Sequence, residues 1–296
     1  MARPVAGCAP GQDTVITNAR LYSLLPAVGE SWRQLLDAIS DSAGAGLSYV
    51  EHRPPAAIGE LWRREDMGAV FMCGLPYARS VPRPALVALP VPAPRAFMGR
   101  AQYWSEFVVR ADSRFELIED TFGRRIALTT MESQSGCLAA LYYLMPAGGR
   151  GALYQRVIEP RVTPLGAMTA VIDGLADVAP IDSYAFSLAQ RYIPELTSQL
   201  RIVAHTAATP IPPIVSSQPV PPSLESAFLE AHKNASMAPL LANLQLARFA
   251  RPNLDAYDVL KRRFDVTTTY WHQHPFAESV HPAFGELATG PLVSRI

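Results

Sequence analysis

Near its start the chain alternates two kinds of apolar pattern. The segment from Thr14 to Leu21, the short run Leu47-Ser-Tyr-Val50 and the unbroken run Gly68-Ala-Val-Phe-Met-Cys73 have the length and character of buried strands. Between them, Trp32, Leu35, Leu36 and Ile39 recur at helical spacing behind Ser31 as an N-cap, and Ile58 to Arg64 reads as a second helix. The order strand–helix–strand–helix–strand predicts a parallel sheet with right-handed crossovers. The third strand is expected to end in a loop at Gly74-Leu-Pro76.

Prolines recur from Val81 to Pro94, so Ala85-Leu-Val-Ala-Leu89 reads as an edge or connector strand. Tyr103 to Arg110 is expected to carry the chain into a second lobe. There Phe115 to Thr121 reads as a helix and Arg125 to Thr129 as a strand. A strongly apolar run then follows from Cys137 to Met145. Thr163 to Gly174 reads as a capped helix with Pro164 at its first position. Ala176 to Ile181 is a strand, Tyr184 to Tyr192 a helix and Leu200 to Ala204 a further strand. Thr209 to Val215 brings the chain back. Helices are expected from Ser223 as N-cap to Ala231, from Leu240 to Phe249 and from Leu254 to Phe264, while the aromatic tail from Thr267 carries no clear pattern.

A chain of 296 residues exceeds what one core usually serves, which favours two lobes: residues 1–98 with 208–296, and residues 99–207. About half the residues are apolar and 18% are charged, the balance of a soluble globular protein. The formal charge of zero excludes a broad electrostatic footprint for nucleic acid or anionic lipid, so a bound anion must be held locally. Lys occurs only at 233 and 261, a compositional bias with no functional reading. Cys8, Cys73 and Cys137 have neither the count of a disulfide framework nor the spacing of a zinc site. The first residues show no apolar core of an export signal, no lipobox precedes Cys8, and apolar runs fall short of the roughly 18 residues of a membrane span. As written, the chain reads as neither exported nor membrane-spanning.

The most informative stretch is Arg125 to Met145, where a strand runs into Thr-Thr-Met-Glu-Ser-Gln-Ser-Gly136 and a helix opens at once. Ser133 and Ser135 then sit at a helix N-terminus, where the first N–H groups lack intrahelical partners and the dipole is positive. Hydroxyls beside such amides can hold an oxyanion, and Gly136 admits close approach of a ligand to the backbone. The plainer reading of these serines is a simple cap. Asp182-Ser183 follows the strand ending at Ile181, where parallel sheets deliver residues to a ligand. The plainer reading there is again a helix cap. Cys73-Gly-Leu-Pro-Tyr77 is the matching loop of the first lobe, Tyr22 ends its first strand, and Tyr103 lies near the crossover.

Taken in order, Cys73-Gly-Leu-Pro-Tyr77, Tyr103 with Phe107-Val-Val-Arg110-Ala-Asp112, Ser133-Gln-Ser-Gly136 and Asp173-Gly-Leu-Ala-Asp-Val-Ala-Pro-Ile-Asp182 resemble the phosphate/phosphite/phosphonate-binding family of ABC-importer solute receptors. The resemblance runs from about Ala19 to Pro213. It implies a two-lobed α/β fold of the type II periplasmic-binding-protein kind, each lobe a mostly parallel sheet flanked by helices. It also implies a small oxyanion-bearing solute clasped between the lobes, delivery to ABC-transporter membrane subunits, a periplasmic location and no cofactor. Carried over residue by residue, it places the oxyanion on Ser133, Gln134, Ser135 and Gly136. Asp182 with Ser183 would hold a donor group, and Tyr22, Cys73, Gly74, Tyr77 and Tyr103 would line the first-lobe side. One departure stands out: where relatives carry Gly-Gly-His or Gly-Ser-His before a helix, this chain has Arg161-Val-Thr-Pro164.

Two other classes remain open at this point. The same fold hosts cytoplasmic enzymes such as the chorismate-dehydratase-like proteins, and fold does not fix function. A ligand-sensing module acting on another protein is the third. A metal site at His272, His274, Glu278 and His281 would need a strand to align the imidazoles, and prolines interrupt that stretch. Cys73 and Cys137 could be nucleophiles, but buried structural cysteine is the commoner role.

Overall fold

The strand Met67–Phe71 is buried at every position, as an unbroken apolar run requires of a strand covered on both faces. In the computed structural model, which describes residues 15–158 and 161–279, it lies inside a six-stranded sheet. The spatial order is Leu246–Ala250, Ala85–Pro92, Ile214–Ser216, Met67–Phe71, Ile16–Asn18, Ser48–Tyr49. Ile16–Asn18 pairs in parallel with both of its neighbours. The other pairings are antiparallel, because the strand returning from the second lobe, Ile214–Ser216, inserts between Met67–Phe71 and Ala85–Pro92. The parallel sheet expected from the first strands is therefore one half of a mixed sheet. Ala85–Pro92 is not an edge strand; Leu246–Ala250 covers it on the outer side.

The helix Pro26–Ala43 buries Val28, Trp32, Leu35, Leu36 and Ile39 against this sheet. It starts five residues before the expected cap: Pro26, with its φ already helical, takes the first position. Ser31 lies inside the helix and donates its hydroxyl to the Ala27 carbonyl at 3.0 Å. Gly44 ends the helix in the left-handed conformation (φ 60°). Likewise Pro222, not Ser223, opens the helix Pro222–Glu230. The segment read as one helix from Leu240 to Phe249 is a short helix, Ala238–Asn243, followed by the strand Leu246–Ala250, in which Leu246 and Phe249 are buried three residues apart across a register shift. Phe115 to Thr121 holds only the 3-10 turn Ile118–Thr121.

The second lobe has strands in the order Leu200–His205, Ser105–Arg110, Ala179–Asp182, with antiparallel pairings. A parallel bridge, Ile126↔Val178, joins these to Arg125–Ala127, Tyr154–Ile158 and Ala277–Ser279, which pair in parallel. Here too the parallel half carries the expected loops, and the crossing strand makes the other half antiparallel. One face packs Phe107, Leu141, Tyr154 and Trp271, the other Met168, Val171, Ile181 and Phe186. The chain leaves the first lobe through Gln102–Tyr103 and returns through Thr209–Pro210, two extended segments paired side by side.

The last part of the chain differs from expectation. The helix continues from Asp258 to Gln273, beyond Phe264, and Phe264, Trp271, Phe276 and Ala277 pack in the second-lobe core rather than that of the first. His272 and His274 lie at the end of this helix and not on a strand, with the His274 ring stacked on Tyr270. His281 and Cys8 lie outside the described residues. No helix among the described residues is long and apolar enough to cross a membrane.

Candidate functional site

Ser133 is the N-cap of a second-lobe helix: its hydroxyl oxygen accepts from the Gly136 amide at 3.0 Å. A π-helical turn, Gln134–Leu138, follows and runs directly into the α-helix Ala139–Leu144. Such widened turns recur at functional sites. Gly136 is needed sterically. A Cβ there would stand within 2.8 Å of both Cβ and Cγ2 of Thr129, and closer still to its Oγ1. The Thr129 amide in turn donates to the Gly136 carbonyl at 3.1 Å, so strand end and helix start are locked together.

The strand Ala179–Asp182 delivers Asp182 to the same place. Its Oδ1 accepts from the Tyr184 and Ala185 amides, each at 2.9 Å, so it caps the helix Ser183–Tyr192. Its Oδ2 accepts from the Tyr22 hydroxyl at 3.3 Å and the Ser135 hydroxyl at 3.4 Å. One carboxylate therefore touches both lobes. Burial pushes its pKa up to about 6, although all four donors pull it down. Ser183 pairs with the crossover strand: its amide donates to the Trp104 carbonyl, and its hydroxyl oxygen accepts from the Trp104 amide.

From the first lobe Cys73 faces the helix capped by Ser133, and its sulfur accepts from the Gln134 amide at 3.3 Å. Burial raises the Cys73 thiol to about 11, the opposite direction from an activated thiolate. Cys137 is buried in the second-lobe core and raised further. The residues read as the first-lobe loop form a short helix, Gly74–Arg79.

A cleft of about 1480 Å³ runs between the lobes and is lined by Cys73, Tyr103, Ser133, Ser135, Gly136 and Asp182. Five of the expected site residues are not on its wall. Tyr22 lies beneath Asp182, and Ser183 supports the crossover. Gly74 and Tyr77 face the C-terminal helix, Gly74 against Leu260 and Tyr77 against the Tyr257 ring at 4.9 Å. They point away because the segment is helical rather than a loop. Gln134 gives its amide to the Cys73 sulfur, and its side chain is wholly buried with neither end hydrogen-bonded.

Sequence reasoning passed over Thr129, Thr130 and Thr163, which also line the cleft. Thr163 caps the helix Pro164–Ile172 by accepting from the Gly166 amide at 3.1 Å, so a second helix N-terminus faces the cleft. Both signals were present: Thr129 lies two residues past a parallel strand, and Thr163 precedes a helix-initiating proline. Two buried hydroxyls at the site have no hydrogen-bond partner, those of Tyr103 and Thr129, although the Ser135 side chain lies beside Tyr103. Buried polar groups are normally paired. Unpaired hydroxyls on a cleft wall are groups that a ligand can satisfy.

Three solved structures similar to this chain are distant from it in sequence. A binding protein component of an ABC phosphonate transporter from Pseudomonas aeruginosa is 18% identical with a TM-score of 0.74, covering 89% of each chain. PhnD1 from Prochlorococcus marinus, solved in complex with methylphosphonate, is 16% identical with a TM-score of 0.69, over 86% of this chain and 97% of that one. A Xanthomonas citri protein solved bound to ATP is 17% identical with a TM-score of 0.61, over 88% and 98%. These likenesses establish the two-lobed fold of the periplasmic binding proteins. No curated protein matches the sequence. The family described as "ABC transporter, phosphonate, periplasmic substrate-binding protein" matches residues 26–257. With most of the chain inside that match, this protein belongs to the phosphonate-type periplasmic substrate-binding proteins of ABC transporters.

Proposed function

We propose that this protein binds a phosphonate or closely related oxyanion in the cleft beside Ser133, Ser135 and Gly136, and presents it in the periplasm to the membrane subunits of an ABC importer. The observation that carries this reading is the pair of buried, unpartnered hydroxyls, Tyr103 and Thr129, on the wall where a helix begins. Ser133 adds a third donor, since its oxygen accepts from Gly136 and its proton is left for the ligand. Each hydrogen bond to a charged oxygen contributes about 1.5–3 kcal/mol, so no Lys or Arg is required.

Ser135 gives its proton to Asp182 and turns lone pairs toward the cleft. A ligand carrying a donor next to its oxyanion, such as a P–OH group or the ammonium of an aminoalkylphosphonate, fits that polarity. In this reading the first lobe comprises residues up to 98 with 208 to about 257. The second comprises 99–207 with the end of the C-terminal helix.

Thermal shift and calorimetry against methylphosphonate, 2-aminoethylphosphonate, phosphite, phosphate and methanesulfonate test the reading. A ligand at one hundred times its Kd stabilises the fold by about 2.7 kcal/mol. At least one phosphorus oxyanion is expected to raise the melting temperature, and Ser135→Trp to abolish that rise. No response to any member of the panel would overturn the proposal.

A further inference from the structure

The helix Asp258–Gln273 is anchored at its two ends in different lobes. Tyr257 and Leu260 belong to the core of the first. The Tyr257 hydroxyl donates to the Ile211 carbonyl at 2.6 Å, and Arg83 pairs with Asp258 at 2.6 Å. Leu260 lies so close to Gly74 that a Cβ there would come within 2.8 Å of its Cδ1. One turn later, Phe264 belongs to the core of the second lobe, as do Trp271 and Phe276. The Trp271 indole donates to the Leu141 carbonyl at 3.0 Å, and the Tyr154 amide donates to the Phe276 carbonyl at 2.9 Å. Ala277–Ser279 then extends the second sheet beside Tyr154–Ile158.

From Leu260 to Phe264 the helix rises about 6 Å. It cannot lengthen without breaking its N–H to C=O bonds, so the two anchors keep their spacing. First-lobe side chains reinforce the junction: Leu75 packs in the second-lobe core, and the Arg79 guanidinium lies 4.1 Å from the centre of the Phe264 ring. The other two crossings, at Gln102–Tyr103 and Thr209–Pro210, are extended segments that can twist. A rigid third crossing removes most of that freedom.

We propose that Asp258–Gln273 is a strap that limits how far the lobes separate, so that the ligand-free protein stays nearly closed and admits solute through a small opening. This restriction holds whichever solute the cleft takes, and so stands apart from the binding assignment.

Electron–electron distance measurement between spin labels on Asp41→Cys in the first lobe and Glu195→Cys in the second, in a Cys8→Ser background without added solute, tests it. Both positions are exposed. The native strap should give one narrow distance distribution. Inserting Gly-Gly-Ser-Gly after the exposed Arg262 leaves both anchors in place but adds slack, and should broaden the distribution toward longer separations. A folded insertion variant with the native distribution would overturn the proposal. So would a native protein already spread over widely open separations, and that measurement decides the matter alone if the insertion fails to fold.

Discussion

The amide of Gln134 donates to the sulfur of Cys73 at 3.3 Å, joining the first residue of a second-lobe helical turn to the N-cap of the first-lobe helix Gly74–Arg79. A helix-start amide that an anion could take is thereby held by the opposite lobe. Replacing Cys73 with Ala leaves that amide buried without an acceptor, which costs about 1–3 kcal/mol. Urea unfolding should show the loss for Cys73→Ala and recover most of it for Cys73→Ser. Equal stability of the alanine variant and the native protein would show that the contact contributes nothing.

Tyr103→Phe should separate binding from folding. The hydroxyl has no hydrogen-bond partner, so its removal should leave stability within about 1 kcal/mol of native, or raise it. Affinity for the best phosphorus oxyanion should fall about tenfold or more, since a lost bond to a charged group is worth about 1.5–3 kcal/mol. Calorimetry of the two proteins under one condition reads both quantities.

Gly136→Ala drives a methyl group into Thr129. Overpacking of this kind costs about 1–3 kcal/mol, and the displaced helix start should lose ligand. Adding Thr129→Ala removes Oγ1 and Cγ2, two of the three clashing atoms, and should restore part of the stability. A double variant no more stable than Gly136→Ala would place the strain elsewhere.

Asp182 sets a pH dependence of defined sign. Its folded-state pKa, about 6, lies above the ordinary carboxyl value because burial outweighs the four hydrogen bonds. The folded chain therefore holds this proton more tightly than the unfolded chain. The contribution is fully present below pH about 4 and is lost as pH rises through about 6, a change on the order of 3 kcal/mol. Asp182→Asn keeps the cap to Tyr184 and Ala185 and removes the titration. The stability of native protein minus that of the variant should fall between pH 4 and 6.5. A flat difference would rule out Asp182 as the titrating group.

How much of this was readable in the sequence follows from where each signal resides. The N-cap at Ser133, the Thr163–Pro164 helix start and the strand delivering Asp182 are local patterns, and they stand where expected. The strand Leu246–Ala250 was hidden because its apolar residues also suit a helix over so short a stretch, and only pairing with Ala85–Pro92 decides between them. Pairing likewise decides whether a strand is an edge, which composition cannot show for the proline-rich Ala85–Pro92. Gly74 and Tyr77 were placed in the cleft from their position after a strand. They turn away because Leu260 and Tyr257, far along the chain, pack against them.

Tyr103 combines two positions that are usually separate: it lines the cleft, and its backbone pairs with Thr209 where the chain crosses between lobes. A side chain rooted on the axis of rotation travels least when the halves part. Its hydroxyl therefore keeps its place relative to both halves, so an anion entering through even a small opening meets a donor that lobe movement does not displace.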